Sequence, residues 1–378
     1  MQCIDSLTSQ DLKGKRVLVR AGLDLPVEQG EVGDTFRVQR AIPTLKYLAD
    51  VGAKIIILSH IGREVTETNE SVHRALTHFV RASYVPDLFG HTARNVIQGM
   101  DDGDMLLLEN VRQFYDREKS NDPAFAEELA SLGEIYVNDA FSNSHRAHAT
   151  MVGIPKLLPH YAGLLLRDEV RELSKSRTPE HPSFAIIGGA KFETKIPVIT
   201  RLLETYDYVF ITGALANDVF KARGFPVGRS VVSDTPPSES VLSHHGFVAP
   251  IDVTIEDEAG HPKVKKPGDV LPGDKIVDIG PDTLAMIGPH IAQAKSIIWN
   301  GPTGLYEDGY ISFTHALAEL VRHRVTEGAH SVIGGNNTIA AVHSSGISEN
   351  ELGFLSTGGG AMLEYLAQGT LPAIEALN

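Results

Sequence analysis

Residues 183–196, SFAIIGGAKFETKI, contain the residue types from which an anion site is made. An apolar run ends at Gly188 and Gly189, Lys191 follows two residues later, and Lys195 lies four residues beyond it. A buried strand that stops on glycines leaves backbone N–H groups bare, and lysines at the mouth of the next helix add mobile positive charge. An ordinary strand–turn–helix with two solvated lysines would carry the same letters, so the rest of the chain has to decide between them.

Short apolar runs recur along the chain, each closed by glycine or polar residues and followed by a helical pattern. In the first half they are 16–20 (RVLVR), 55–60 (IIILSH), 105–110 (MLLLEN) and 135–139 (IYVND). In the second half they are 184–189, 208–213 (YVFITG), 275–280 (KIVDIG), 296–301 (SIIWNG), 331–335 (SVIGG) and 353–358 (GFLSTG). Segments 124–132 and 313–325 between them predict amphipathic helices. Strand–helix alternation with near-continuous apolar strands implies buried parallel sheets, whose ligands bind beyond the carboxyl ends of the strands.

The two halves close their runs differently. First-half ends and loops are cationic: Arg20, Arg37 on the next helical segment, His60 with Arg63, Arg112, and Arg146 between His145 and His148. Second-half ends are mainly glycines: Gly188, Gly189, Gly213, Gly280, Gly301, Gly335 and Gly358 to Gly360. Guanidinium forks match carboxylate and phosphate oxygens, while bare glycine turns admit phosphates and a flat base. One half is therefore suited to a small, multiply charged anion and the other to a nucleotide.

A chain of 378 residues exceeds the usual span of one core, so two domains are expected. The apolar fraction of 42% and charged fraction of 22% are those of a soluble globular protein. No apolar run approaches a membrane span, and the N-terminus lacks a secretory pattern. Cys3 is the only cysteine, which fits a reducing cytosol and leaves no cysteine-built metal site. A formal charge of −14 argues against nucleic-acid or anionic-membrane partners. The boundary is expected within 155–173, and 250–274 reads as exposed hairpins or loops.

At this point the chain resembles the phosphoglycerate kinases, through nearly its whole length. RVLVRAGLDLP, TFRVQRAIPTLKYL, LSHIGR, LLLENVR, YVNDAFSNSHRAHATMVGIP, GGAKFETKI, WNGPTGLYE, IGGNNT and STGGGAMLEYL stand in the family's order. The resemblance implies two doubly wound, Rossmann-like α/β domains facing a cleft and joined by a hinge helix. Residues 1–160 would bind the triose, 161–362 the nucleotide, and 363–378 would return to the first domain. It implies reversible phosphoryl transfer between 1,3-bisphosphoglycerate and ADP, giving 3-phosphoglycerate and ATP with Mg²⁺, in a cytoplasmic monomer.

By the same resemblance Gly22, Leu23, Asp24, Arg37, His60, Ile61, Gly62, Arg63, Arg112 and Arg146 would hold the glycerate. Arg37, Lys191 and Gly335 would act on the transferring group. Gly189, Lys195, Gly213, Asn300, Glu307, Gly335, Asn336, Asn337 and Thr338 would hold the nucleotide, with Asn337 a weak metal-side residue acting through the phosphates. No general base is expected, because the acceptor carboxylate is already ionised.

Two departures stand out. The family's first loop usually reads Asp-Phe-Asn, here Gly22-Leu23-Asp24, and its Gly-Gly-Gly-Asp-Thr/Ser is here Gly334-Gly335-Asn336-Asn337-Thr338. Altered glycerate affinity and weaker metal–nucleotide binding are expected from them. Thr194 is expected to cap a helix starting at Lys195. The competing readings are a diverged paralogue that binds phosphorylated ligands without efficient transfer, and a dinucleotide oxidoreductase. The latter lacks a GxGxxG fingerprint after a strand.

Overall fold

The computed structural model describes residues 1–28 and 31–378. The chain divides into two compact units, Met1–Arg171 with Thr370–Asn378, and Glu172–Gly369. The division falls inside one helix, Leu164–Arg177.

The first unit is built on six parallel strands: β1 (Arg16–Ala21), β2 (Lys54–Leu58), β3 (Ser83–Tyr84), β4 (Met105–Leu107), β5 (Ile135–Asp139) and β6 (His160–Ala162), in spatial order β3-β4-β2-β1-β5-β6. Its long central strands are buried almost throughout, which is why they read as unbroken apolar runs rather than alternating ones. The helix Phe36–Asp50 covers the sheet with Val38, Ala41, Ile42, Leu45 and Leu48, a stripe at helical spacing. Residues 370–378 belong to this unit: the Ala373 N–H donates to the Ser144 carbonyl at 3.0 Å, and Ala373 packs with Ala140, Met151 and Val152.

The second unit repeats the plan with β7 (Ser183–Ile187), β8 (Tyr208–Ile211), β9 (Phe247–Val248), β13 (Ser296–Asn300), β14 (His330–Gly334) and β15 (Phe354–Ser356), in order β9-β8-β7-β13-β14-β15, again all parallel. Residues 363–368 finish a helix of this unit, Gly359–Gln368, and Gly369 is its C-cap.

The run 275–280 reads as one more parallel strand, but the structure puts it elsewhere. Lys275–Ile279 (β12) pairs antiparallel with Val253–Glu256 (β10), which also pairs with Pro262–Lys265 (β11). β10 alternates buried and half-buried residues, as expected where only one face meets a core. Part of the segment expected as loops is therefore this small sheet.

Register matters for function. Ile211, Ile187, Asn300, Gly334 and Ser356 are linked partner to partner across the second sheet, so the residues that follow them emerge along one edge. Strand order reverses beside β7 and β13 in this sheet, and beside β1 and β5 in the first. Such switch points open a crevice between loops that leave in opposite directions.

Candidate active site

In the first unit the switch point is polar. Gly22, Leu23 and Asp24 follow β1, His60 to Arg63 follow β2, Arg112 lies in the 3₁₀ turn Val111–Phe114 after β4, and Arg146 comes soon after β5. Arg37, in the first turn of Phe36–Asp50, donates through Nη1 to the Asp24 carbonyl. Asp24 Oδ1 accepts the Gly62 N–H at 3.2 Å, and its Oδ2 lies 3.5 Å from His60 Nε2.

His60 is buried, and its protonation follows from its neighbours. Arg20 Nη2 lies 2.8 Å from Nδ1; a guanidinium only donates, so Nδ1 accepts and the ring proton is on Nε2, towards Asp24. Burial first, then the charges of Arg20 and Arg112, push the imidazole down to about 3, despite the bond to Asp24. For Asp24 burial is outweighed by the bond from His60 and by the charges of Arg37 and Arg112, which bring the carboxyl down to about 2. His60 is thus neutral and Asp24 ionised at neutral pH. His148 is held down at about 4 by burial and by Arg146, Arg20 and Arg112. Positive charge in this pocket therefore comes from guanidinium groups, which no physiological pH removes.

Sequence reasoning picked out Arg20 as a cation but missed the buried layer it belongs to. Arg20 is buried and donates Nε to Thr150 Oγ1 at 3.0 Å, while Thr150 Oγ1 donates to Glu118 Oε1 at 2.5 Å. Arg20 and Glu118 thereby offset each other's charge in the interior. Asn110, also buried, accepts the Ile61 and Arg112 N–H groups and donates to the Ile61 and Glu67 carbonyls, tying the loops after β2 and β4 together. The polar close of the run 105–110 was the available signal. Arg63 is exposed, with its N–H held by Glu67 Oε2 at 2.6 Å. That carboxylate fills the space where a Cβ on Gly62 (φ +67) would stand.

In the second unit two cavities adjoin. One, of about 240 Å³, is lined mainly by apolar groups including Ala216, Val231, Ile276, Val277 and Leu305, with Gly213, Asp278 and Glu307. The other, of about 410 Å³, is lined by Gly188, Lys191, Thr194, Lys195, Asn300, Gly301, Gly335, Asn336 and Thr338. They meet along Gly189, Ala190, Pro302 and Asn337.

The second cavity is open because glycines line it. A Cβ on Gly301 would stand 2.5 Å from Gly188 Cα, so β7 and β13 end backbone against backbone. Thr338 Oγ1 accepts the Gly301 N–H at 2.7 Å and fixes the start of the helix Asn336–His343 against that turn. Asn300 is buried, and its Nδ2 has no acceptor among the described residues; it faces Gly335 and Gly359. A buried donor without a partner suits an anion. Lys191 is exposed, whereas Lys195 is half-buried and its ammonium is pushed down by burial. The following helix begins at Ile196, not Lys195, and Thr194 Oγ1 donates to the Lys191 carbonyl at 2.9 Å rather than capping the helix. Thr194 therefore braces the lysine loop.

Asn337 Nδ2 donates to Glu307 Oε1 at 2.6 Å. Among the described residues no three His, Cys, Asp or Glu converge on a metal-sized space. The donors present fit a metal carried in on a nucleotide's phosphates, with Asn337 offering only a neutral oxygen.

Two doubly wound units, one with a guanidinium-lined crevice and one with an apolar cavity opening onto bare amides and lysines, define an α/β phosphotransferase. The phosphoglycerate kinase family model matches residues 7–369. The chain is 38% identical over 393 residues to a protein named phosphoglycerate kinase from Wolbachia sp. subsp. Drosophila simulans (strain wRi), covering 99% of this chain and 98% of that one. Its fold matches the solved phosphoglycerate kinase of Coxiella burnetii (TM-score 0.81, 31% identity, 99% and 98% of the two chains covered). It also matches that of Pyrococcus horikoshii OT3 (TM-score 0.88, 27% identity, 100% and 98% covered). The chain belongs to the phosphoglycerate kinase family.

Proposed function

We propose that the chain catalyses reversible phosphoryl transfer between 1,3-bisphosphoglycerate and ADP, giving 3-phosphoglycerate and ATP. The observation that carries this is the division of labour between the units: fixed positive charge at one switch point, and an apolar cavity joined to a bare-amide, lysine-lined one at the other. The first suits the phosphate and carboxylate of a glycerate, the second the base and phosphates of a nucleotide.

The acceptor carboxylate is an ionised nucleophile, and the neutral His60 has no proton to remove from it. Catalysis then rests on in-line placement and charge stabilisation. In this reading Arg37 and Lys191 neutralise the equatorial oxygens of the transferring group, with the Gly335 turn and the helix it opens supplying amides. Lys195, Asn300, Asn336 and Thr338 hold the nucleotide phosphates, and Gly213 admits the base. Mg²⁺ arrives with the nucleotide as part of the substrate complex. Because the ligands bind different units, transfer requires closure of one unit on the other and expulsion of water. In this reading the enzyme works as a monomer in the cytoplasm, a compartment that a single cysteine fits. No helix among the described residues is long and apolar enough to cross a membrane.

A coupled assay with 3-phosphoglycerate, ATP and Mg²⁺ tests the reading. Turnover is expected in the parent, and K191A should lower kcat by about 100-fold or more, the scale of losing one charge-stabilising group. Near-normal kcat in K191A with only raised Michaelis constants would remove Lys191 from the transition state.

A further inference from the structure

We propose that Thr150, oriented by Glu118, is a positioning residue for His60. It holds Arg20 in place so that the imidazole keeps its proton on Nε2 and offers an N–H, not a lone pair, to the anionic groups of the glycerate. The inference rests on the glycerate reading of the first unit and deepens it.

The starting point is a buried hydroxyl. Thr150 lies in the short π-helical turn Ala149–Gly153 and is fully buried. Its backbone is tied on both sides: the N–H donates to Glu118 Oε2 at 2.9 Å, and the carbonyl accepts the Tyr136 hydroxyl at 2.6 Å. Arg20 Nε lies 3.0 Å from Thr150 Oγ1, and Glu118 Oε1 lies 2.5 Å from it. A guanidinium can only donate, so Oγ1 accepts from Arg20 and its single hydrogen goes to Glu118. The carboxylate thus decides which way the hydroxyl's lone pairs face.

Arg20 is held at three points. Besides Nε on Thr150, its Nη1 donates to the Ala21 carbonyl at 2.6 Å and its Nη2 reaches His60 Nδ1 at 2.8 Å. The residue is 2% exposed, so a lost partner is not replaced by solvent. A planar fork fixed in this way keeps one N–H on Nδ1 and leaves the ring proton on Nε2. Asp24 Oδ2 and the Asn143 amide each lie 3.5 Å from Nε2, longer than a full hydrogen bond, so this donor is not spent within the protein. The opposite tautomer would present a lone pair to a phosphate or carboxylate and repel it. Guanidinium charge draws the glycerate into the crevice, and the tautomer decides whether His60 adds to that attraction or opposes it.

Nitrogen-15 spectra of the full chain labelled in its histidine rings, with the His60 signals assigned through H60Q, read the tautomer directly. The parent should show a protonated Nε2 and a bare Nδ1 at neutral pH, and T150S should keep that pattern. T150V and E118Q should move both nitrogens towards a mixture of tautomers; T150A takes the place of T150V should the buried methyl prevent folding. Isothermal titration with 3-phosphoglycerate reads the consequence. Affinity should fall by about ten-fold in T150V and E118Q, and by less than about three-fold in T150S. In an H60Q background T150V should cost no more than about three-fold, because the lost bond runs through His60. A parent with the proton on Nδ1, or a parent-like spectrum in both T150V and E118Q, would overturn the proposal. So would an equal loss of affinity with and without His60, which would make Thr150 a support for the fold or for the charge of Arg20 alone. A parent that binds no 3-phosphoglycerate while its spectrum responds as expected would overturn the glycerate reading and the substrate half of the proposal, and would confirm the hold on the tautomer.

Discussion

Gly301→Ala adds one methyl group at the point where the two central strands of the second unit end. Its φ of +104° is one that side chains rarely adopt, and the new Cβ would stand 2.5, 2.6 and 2.8 Å from the Cα, C and O of Gly188. Ordinary contact begins at 3.4 Å, so the backbones must part by 3.4 − 2.5, about 0.9 Å. Neither side is free to do so. The Gly188 N–H donates to the Asn300 carbonyl at 2.6 Å, the Gly301 N–H to Thr338 at 2.7 Å, and Trp299 Nε1 to the Gly301 carbonyl at 2.7 Å. Positive φ costs a β-carbon residue about 1–2 kcal/mol. Overpacking a tight contact costs about 1–3 kcal/mol more. The expected loss is about 2–5 kcal/mol from the second unit, read in urea by fluorescence. The chain's single tryptophan, Trp299, is buried two residues away and reports on this spot. Affinity for ADP should fall by about ten-fold or more, since Gly301 and Pro302 form the cavity wall. Glycerate binding should not change. Gly224→Ala is the control, because Gly224 has φ +79° and nothing within 4 Å. A G301A variant no less stable than G224A, with parental ADP affinity, would refute the idea that close strand-end contact builds this cavity.

Asp24→Asn removes an ionised carboxylate from the guanidinium crevice while keeping an oxygen for the Gly62 N–H, so 3-phosphoglycerate should bind about ten-fold more tightly. Unchanged affinity by titration would remove Asp24 from the substrate site. Asp139→Asn tests a pH effect. Burial raises the Asp139 carboxyl from 3.8 to about 7, against the Thr44, Leu165 and Leu166 bonds that favour the anion, and the charge of Asp168 adds to the rise. The folded state therefore holds this proton more tightly than the unfolded chain. The stability it gives is complete below about pH 4 and lost as pH rises through about 7, at most about 4 kcal/mol. Denaturation midpoints at pH 5 and 8 should lie closer together in D139N than in the parent; an unchanged gap would refute the assignment.

How far the sequence could be read depended on whether a residue's role is set locally. Unbroken apolar runs such as RVLVR and SIIWN announced parallel strands, because burial on both faces removes alternation. The glycines at 188, 189, 213, 301 and 335 could be noticed from sequence alone. Their reason could not, since it lies in what each glycine's backbone meets in space, as where Gly188 and Gly301 abut although 113 residues apart. KIVDIG misled for the opposite cause: its letters match those of the parallel strands, and its antiparallel partner was hidden in a Pro- and Gly-rich stretch. Arg20 was visible as a cation but not as the group that sets the His60 tautomer, which requires the 2.8 Å contact from the neighbouring strand. Asn337 shows the same limit most sharply. Set beside a family pattern it looks like a lost charge at a metal. Its 2.6 Å bond to Glu307 shows the amide donating, which an ionised carboxylate does not do, and that partner, 30 residues earlier, is invisible in the local sequence.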